Sequence, residues 1–199
     1  MNVATKSQTS FTQHRILKRT WCCGSGRTPS PSTSPLSLNR VDSLLFEKAC
    51  WIAIEQGHTL INLEPWLETL KGMDLTEEQI SDSQKILKEY GFIELLRTMG
   101  LVEIHSFSIT LFGFHEFAKA AIPNFNGLCD QVAAMVVQEE DATGDSLASA
   151  LGQPLRLIEH ILEVFENNGL LKISRQHGGS YMTAYDVSAK LRRAVSDGD

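Results

Sequence analysis

The sequence predicts an α+β fold, mainly helical, that is divided into two units behind a basic N-terminal segment. From residue 42 onward, apolar residues recur at spacings of three and four, which is typical of amphipathic helices. Glycines end the long helical runs, and short apolar runs that favour strands follow them. The two halves also superpose at an offset of 78 residues, which indicates a duplicated unit.

The size of the chain fits this division. It has 199 residues, of which 42% are hydrophobic and 21% are charged. That length suits one medium domain or two small ones, and the apolar fraction is enough to bury a core. The composition excludes collagen, a fully disordered chain and a disulfide scaffold. No run approaches the roughly 18 apolar residues of a membrane-spanning helix, so we expect none.

Residues 1–41 differ from the rest of the chain in charge. They hold six Lys or Arg and no acidic residue, whereas residues 42–199 hold 12 basic and 24 acidic residues. The segment is also rich in Ser and Thr, and we expect it to be a disordered tail because it cannot bury enough apolar surface. It could be a plain extension, an unused upstream start, a phosphate-attracting arm or an organellar transit peptide. Because no signal-peptide core is present, we expect a cytoplasmic location unless a transit peptide operates.

The first unit is predicted to span residues 42–125. Asp42 or Ser43 caps a first helix that stops at Gly57. A short helix follows around Pro65, and Thr76 opens a third helix as part of a capping box. Tyr90 is assigned to the buried face of that third helix. Strand candidates at 92–98 and 107–110 lead to a closing helix from about residue 114.

The second unit is predicted to span residues 127–195 in the same order. Helices are expected over 128–138, 145–151 and 154–168, strands over 170–174 and 181–184, and a last helix from 186 to 195. The match to the first unit at an offset of 78 requires a loop about five residues shorter before the second strand.

This order resembles the winged helix, a helix-turn-helix extended by a β-hairpin, in tandem proteins of bacteria and archaea. The stretch SLASALGQPLRLIEHILEVFENNGLLKISRQHGGSYMT carries the resemblance best. The resemblance implies a DNA-binding regulatory protein, with double-stranded DNA and a second copy of the chain as partners. In that hypothesis the third helix of the second unit turns Gln153, Arg156, Glu159, His160 and Glu163 to solvent, and Gln153, Arg156 and His160 meet bases. Phosphate contacts then come from Lys172, Arg175 and His177 of the wing and from Lys190, Arg192 and Arg193 of the last helix.

Charge favours an alternative to DNA reading. The third helix of each unit has a net charge of −2, over residues 76–90 and 153–168, whereas phosphate neutralisation supplies most of the affinity for DNA. Tandem winged helices also hold protein partners, and the alternative is such an adaptor, which does not read DNA directly. The first wing is apolar for an exposed loop and could contact a partner, a second copy or the other unit. Its apolar residues are Met99, Leu101, Val102 and Ile104.

Catalytic and metal-binding arrangements are not found in the sequence. The glycine-rich stretch 23–28 lacks the Lys of a phosphate-binding loop, and no CxxC spacing exists. His105 and His115 are interpreted as surface histidines. We therefore expect no enzymatic activity, no cofactor and no metal.

Overall fold

A computed structural model describes residues 38–97, 104–139, 141–175 and 182–197. Most of the basic N-terminal segment therefore lies outside the described residues. So do Met99, Leu101 and Val102 of the first wing and His177 of the second. The α+β, mainly helical class is confirmed.

The first unit contains a three-stranded antiparallel sheet with helices on it. Its strand order is β1-β3-β2, and Ile61 pairs with Phe107 while Leu95 pairs with the same residue from the other side. The elements, in chain order, are α1 Arg40–Gln56, β1 Leu60–Asn62, α2 Leu63–Thr69, α3 Glu77–Glu89, β2 Ile93–Arg97, β3 Ile104–Ile109 and α4 Leu111–Ala121.

The start of α1 differs from the prediction. Asn39 is the capping residue, and its side chain accepts a hydrogen bond from the Asp42 backbone N–H at 2.8 Å. Asp42 is instead buried, where it accepts a hydrogen bond from the Ser83 hydroxyl of α3 at 2.5 Å. The predicted capping box of Thr76 and Gln79 at the start of α3 is confirmed. The Asp42–Ser83 bond ties the beginning of the described chain to the middle of α3.

The second unit repeats this order with a smaller sheet. Strands β4 and β5 form an antiparallel hairpin, and an isolated bridge between Thr143 and Thr183 takes the place of a third strand. The elements are α5 Phe125–Gln138, α6 Gly144–Leu151, α7 Leu155–Asn167, β4 Lys172–Arg175, β5 Met182–Tyr185 and α8 Ala189–Ser196.

The offset of 78 holds further along the chain than predicted. Helices α3 and α7 both have 13 residues and begin 78 residues apart. Six residues separate the two strands of each hairpin, so the expected shortening of the second loop is wrong. The N-cap residues of the two closing helices, Thr110 and Ser188, form equivalent backbone hydrogen bonds. The backbone N–H of Thr110 donates to the Phe92 carbonyl at 3.0 Å, and that of Ser188 donates to the Leu170 carbonyl at 2.8 Å.

A single hydrophobic core runs through both units. Helix α7 lies at the junction, where it packs against α1 and α4 of the first unit and against α5 and α6 of the second. Only residues 122–124 separate α4 from α5, so the two units meet closely. Among the described residues, none of the helices is long and apolar enough to cross a membrane.

Candidate interaction surfaces

The predicted base-contacting face of α7 is buried, so the expectation of solvent exposure is wrong for its central residues. His160 is fully buried, Arg156 is 6% exposed, and Glu159 is also buried. The physical reason is the packing of α4 from the first unit over this side of α7. Gln153 is partly buried before α7 begins, and its backbone N–H closes the preceding turn onto Ala148 at 3.0 Å. In this arrangement Arg156 and His160 cannot reach base edges.

Arg156 forms a buried ion cluster on α7. Its guanidinium donates to both carboxylate oxygens of Glu163, at 2.7 and 3.3 Å, and to Glu159 at 3.4 Å. The same group lies 5.5 Å from the centre of the Phe114 ring of α4, which is a cation–π distance. Burial raises the pKa of Glu159, and the nearby charge of Arg156 opposes that rise. Arg156, which was predicted to meet bases, is therefore held by two carboxylates of its own helix and by an aromatic ring of the first unit.

Two histidines meet beside this cluster. His115 Nδ1 of α4 and His160 Nε2 of α7 are 3.3 Å apart, so one nitrogen donates and the other accepts when both rings are neutral. Burial, followed by Arg156 and His115, lowers the pKa of His160 well below its usual value. His115 is itself buried, so its interpretation as a surface histidine is wrong. The contact between these two imidazoles thus forms part of the contact between the units.

The predicted phosphate-contacting residues of the second wing face carboxylates. The Nζ of Lys172 lies 2.6 Å from a carboxylate oxygen of Asp186, and the guanidinium of Arg175 donates to a carboxylate oxygen of Glu166 at 2.7 Å. The hydrogen bond from Arg175 lowers the pKa of Glu166. On α8, Lys190, Arg192 and Arg193 are exposed, and the Nε of Arg192 donates to the Val187 carbonyl at 3.3 Å. The second unit therefore keeps exposed cations on α8, while those of its hairpin are paired.

The corresponding helix of the first unit is open to solvent. Helix α3 buries Ser83, Gln84 and Leu87 against the core and turns its other face outward. Within that outward face, Lys85 is paired with Asp82 at 2.9 Å. The exposed charged residues of α3 are Glu77, Glu78, Asp82, Lys85, Lys88 and Glu89, which sum to a net charge of −2. This exposed helix confirms the acidic surface expected from the sequence.

An exposed pair of aromatic rings lies where α3 ends and α4 begins. Tyr90 and Phe112 are 51% and 55% exposed, and both stack on Phe92, with centroids 6.2 and 5.5 Å away. Phe46 of α1 stacks on Phe92 from the core at 5.1 Å. Gly113 allows this approach, because a Cβ at that position would collide with the carbonyl oxygen of Phe92. We call Tyr90 and Phe112 the aromatic pair.

Sequence reasoning missed the aromatic pair. The assignment of Tyr90 to the buried face of α3 is wrong, because the helix ends at Glu89 and the chain turns there. The exposure of Phe112 could have been predicted from the sequence. Phe114 and Phe117 define the buried stripe of α4, and a residue two positions before Phe114 lies off that stripe.

The second unit shows that the fold does not need these rings. At the offset of 78, Tyr90 corresponds to Asn168 and Phe112 to Lys190. Two neighbouring acidic residues also change, since Glu89 corresponds to Asn167 and Glu94 to Lys172, whereas Lys88 corresponds to the acidic Glu166. One region of the fold is thus aromatic and acidic in the first unit, and polar and basic in the second.

No described cluster of three or more His, Cys, Asp or Glu side chains has the arrangement of a metal site. Comparison with known proteins gives no identity: no family model and no curated protein matches this chain.

Proposed function

We propose that this protein is a non-catalytic interaction adaptor built from two winged-helix units, and that its first unit binds a protein partner. The element order supports the winged-helix interpretation. In each unit a helix, a strand or bridge, two further helices, a β-hairpin and a closing helix follow one another. The role of the fold is argued from its surfaces, because one architecture hosts many functions.

The burial of the Arg156–His160 face of α7 carries this proposal. A winged helix that reads DNA inserts its third helix into the major groove, which requires that helix to be accessible. Exposing α7 would separate the ion cluster of Arg156 from Phe114 and open the fully buried His160 to water. Glu159 and Glu163 stay with Arg156 because they lie on the same helix, so the loss is the cation–π contact, worth about 0.5–2 kcal/mol, together with the packing around His160. The arrangement therefore favours α7 as a structural contact.

The surfaces that remain open favour a protein partner. Helix α3 is accessible but acidic, and acidic side chains repel the phosphate backbone that dominates DNA affinity. Beside it, the aromatic pair offers two exposed rings. Protein interfaces are enriched in aromatic residues, and a few such anchors carry most of the binding energy. The first unit thus combines an accessible helix with two anchors.

Two measurements test the proposal. Proximity labelling in the native cell compares the natural chain with a Tyr90→Asn/Phe112→Lys variant, which carries the second unit's own residues. We expect a protein that the natural chain labels and the variant does not. That protein, once purified, should bind the natural chain in calorimetry and lose affinity at least about tenfold with the variant, since hot-spot truncations cost about 2 kcal/mol or more.

The matched control is Tyr185→Asn, which removes an exposed aromatic residue from the second unit. This control should label and bind like the natural chain. In parallel, the full chain is incubated with a pool of mixed DNA duplexes at about 50 mM and 200 mM salt, where electrostatic binding differs strongly. Selective enrichment of particular duplexes, lost in an Arg175→Ala/Arg193→Ala variant, would establish DNA reading and contradict the adaptor.

A further inference from the structure

The beginning of the described chain is linked to the aromatic pair through Phe46 of α1, which contacts Phe92. Phe92 carries both rings, and Asn39 caps α1 seven residues before Phe46. At 1.5 Å per helical residue, this separation is about 10 Å along the axis. The Asp42–Ser83 hydrogen bond also places the start of α1 beside α3. Residues 1–37 are therefore joined to the fold close to the aromatic pair.

The composition of residues 1–37 complements this part of the first unit. They contain five Lys or Arg and no Asp or Glu, whereas residues 38–121 contain seven basic and thirteen acidic residues. Next to the aromatic pair, Glu89 and Glu94 are exposed and outnumber the single exposed Lys88. Three of these five cations, Arg15, Lys18 and Arg19, closely precede Trp21 in the sequence. Guanidinium groups and indole rings both stack favourably on exposed aromatic faces.

We propose that residues 1–37 bind in cis to the aromatic pair, with the stretch from Arg15 to Trp21 stacked on Tyr90 and Phe112. Reach is not limiting, because the 17 residues from Trp21 to Leu38 span up to about 56 Å when extended. A tethered ligand has an effective concentration in the millimolar range, so weak stacking and charge attraction suffice for occupancy. Bound in this way, residues 1–37 compete with a partner for the same rings.

This inference rests on the proposed function, since it names a ligand of the same surface. It also defines the chemistry of the partner. A partner that displaces residues 1–37 has to present cationic and aromatic side chains to an aromatic, acidic surface. The second unit offers no such surface at the equivalent position, where Asn168 and Lys190 replace the rings. The internal comparison therefore predicts cis binding to the first unit only.

The test is photo-cross-linking of the full chain with p-benzoylphenylalanine in place of Tyr90, mapped by mass spectrometry. At 0.1 M salt we expect intrachain cross-links to residues 1–37. Raising the salt to 1 M should lower their yield at least about fivefold, because the screening length falls from about 10 Å to about 3 Å. An Arg15→Gln/Lys18→Gln/Arg19→Gln variant should lower the yield to a similar extent. The same photoreactive residue in place of Asn168 is the control, and it should not cross-link to residues 1–37.

Three outcomes would overturn the proposal. The first is the absence of cross-links to residues 1–37 at 0.1 M salt. The second is a yield that neither salt nor the triple variant reduces. The third, in a mixture of light and heavy isotope-labelled chains, is cross-linking mainly between copies, which would identify a second copy as the occupant. If these tests fail while partner binding still depends on Tyr90 and Phe112, the adaptor function stands without its cis ligand. If cross-linking succeeds but no partner is found, the adaptor function is the part that fails.

Discussion

Helices α3 and α7 occupy equivalent places in the two units and have opposite surroundings. Each has 13 residues and lies 78 positions from the other, yet α3 faces solvent while α7 is buried on almost every side. Position 78 holds an exposed Glu in α3, and position 156 holds a buried Arg in α7. In a tandem repeat, the role of an element therefore depends on whether a neighbouring element covers it. The position of a helix within the repeat does not by itself decide whether that helix is accessible to DNA.

We expect the largest effect from substituting Arg156, the buried counterpart of the exposed Glu78. Arg156→Ala leaves the buried Glu159 and the partly buried Glu163 without their shared guanidinium. We expect the free energy of unfolding to fall by about 3–5 kcal/mol, the typical result of removing one partner of a buried ion pair. Urea denaturation followed by circular dichroism measures it.

The matched control is Glu78→Ala, at the equivalent position of α3. An exposed side chain of this kind should change the free energy of unfolding by no more than about 0.5 kcal/mol. Equal effects of the two substitutions would contradict the assignment of α7 as the contact between the units.

The second prediction uses pH on the same contact. The pKa of His160 is lowered in the folded chain, so the unfolded chain binds the proton more tightly. Stability is therefore fully present above the usual histidine pKa of 6.5 and is lost as the pH falls from there towards the lowered folded value. The slope for one such group approaches about 1.4 kcal/mol per pH unit.

The charged and titratable groups that act on His160 are Arg156 and His115. Glu159 has a raised pKa and acts in the opposite direction, because its protonation favours the folded chain as the pH falls towards its ordinary value. Urea denaturation of a His160→Asn variant between pH 7.5 and 5.5 separates the two contributions. The variant should show a flatter pH dependence than the natural chain, and parallel curves would refute the role of His160.

The third prediction concerns the contribution of the aromatic pair to the stability of the first unit. Tyr90→Asn/Phe112→Lys removes two ring contacts with Phe92, each worth about 0.5–1.5 kcal/mol beyond area burial. We expect the fold to persist with a stability loss of about 1–3 kcal/mol, as the second unit carries Asn and Lys at these positions. Thermal unfolding measures the loss, and an unfolded variant at room temperature would show that the rings are structural anchors.

The smallest effect concerns the ion pair of the second hairpin. Arg175 and Glu166 are partly exposed, and such pairs contribute about 0–1 kcal/mol. Arg175→Ala should lower the free energy of unfolding by less than about 1 kcal/mol, and the difference should shrink in high salt. The first unit has Lys88 and Arg97 at the equivalent positions, so this pair belongs to the second unit alone. Salt-independent destabilisation would indicate that packing, not charge, is lost.

The sequence predicted the order of the helices and of the two hairpins because local signals define them, whereas the three-residue strand β1 was not predicted. The Thr76 capping box, the Gly57 helix end and the apolar stripe of α7 act within a few residues, so periodicity and capping rules find them. The exposure of Arg156 and His160 could not be predicted in the same way. Their burial depends on α4, which is distant along the chain, and an Arg with two carboxylates on its own helix resembles a solvated residue.

The position of α7 at the junction has a consequence for biosynthesis. Residues 40–121 emerge from the ribosome before residues 155–167 do, so the Phe114 and His115 side of α4 initially has no partner from α7. An incomplete chain with an open apolar face is prone to aggregation, and chaperones protect such intermediates. The contact between α4 and α7 therefore forms late in synthesis, and until it forms the growing chain is prone to aggregation.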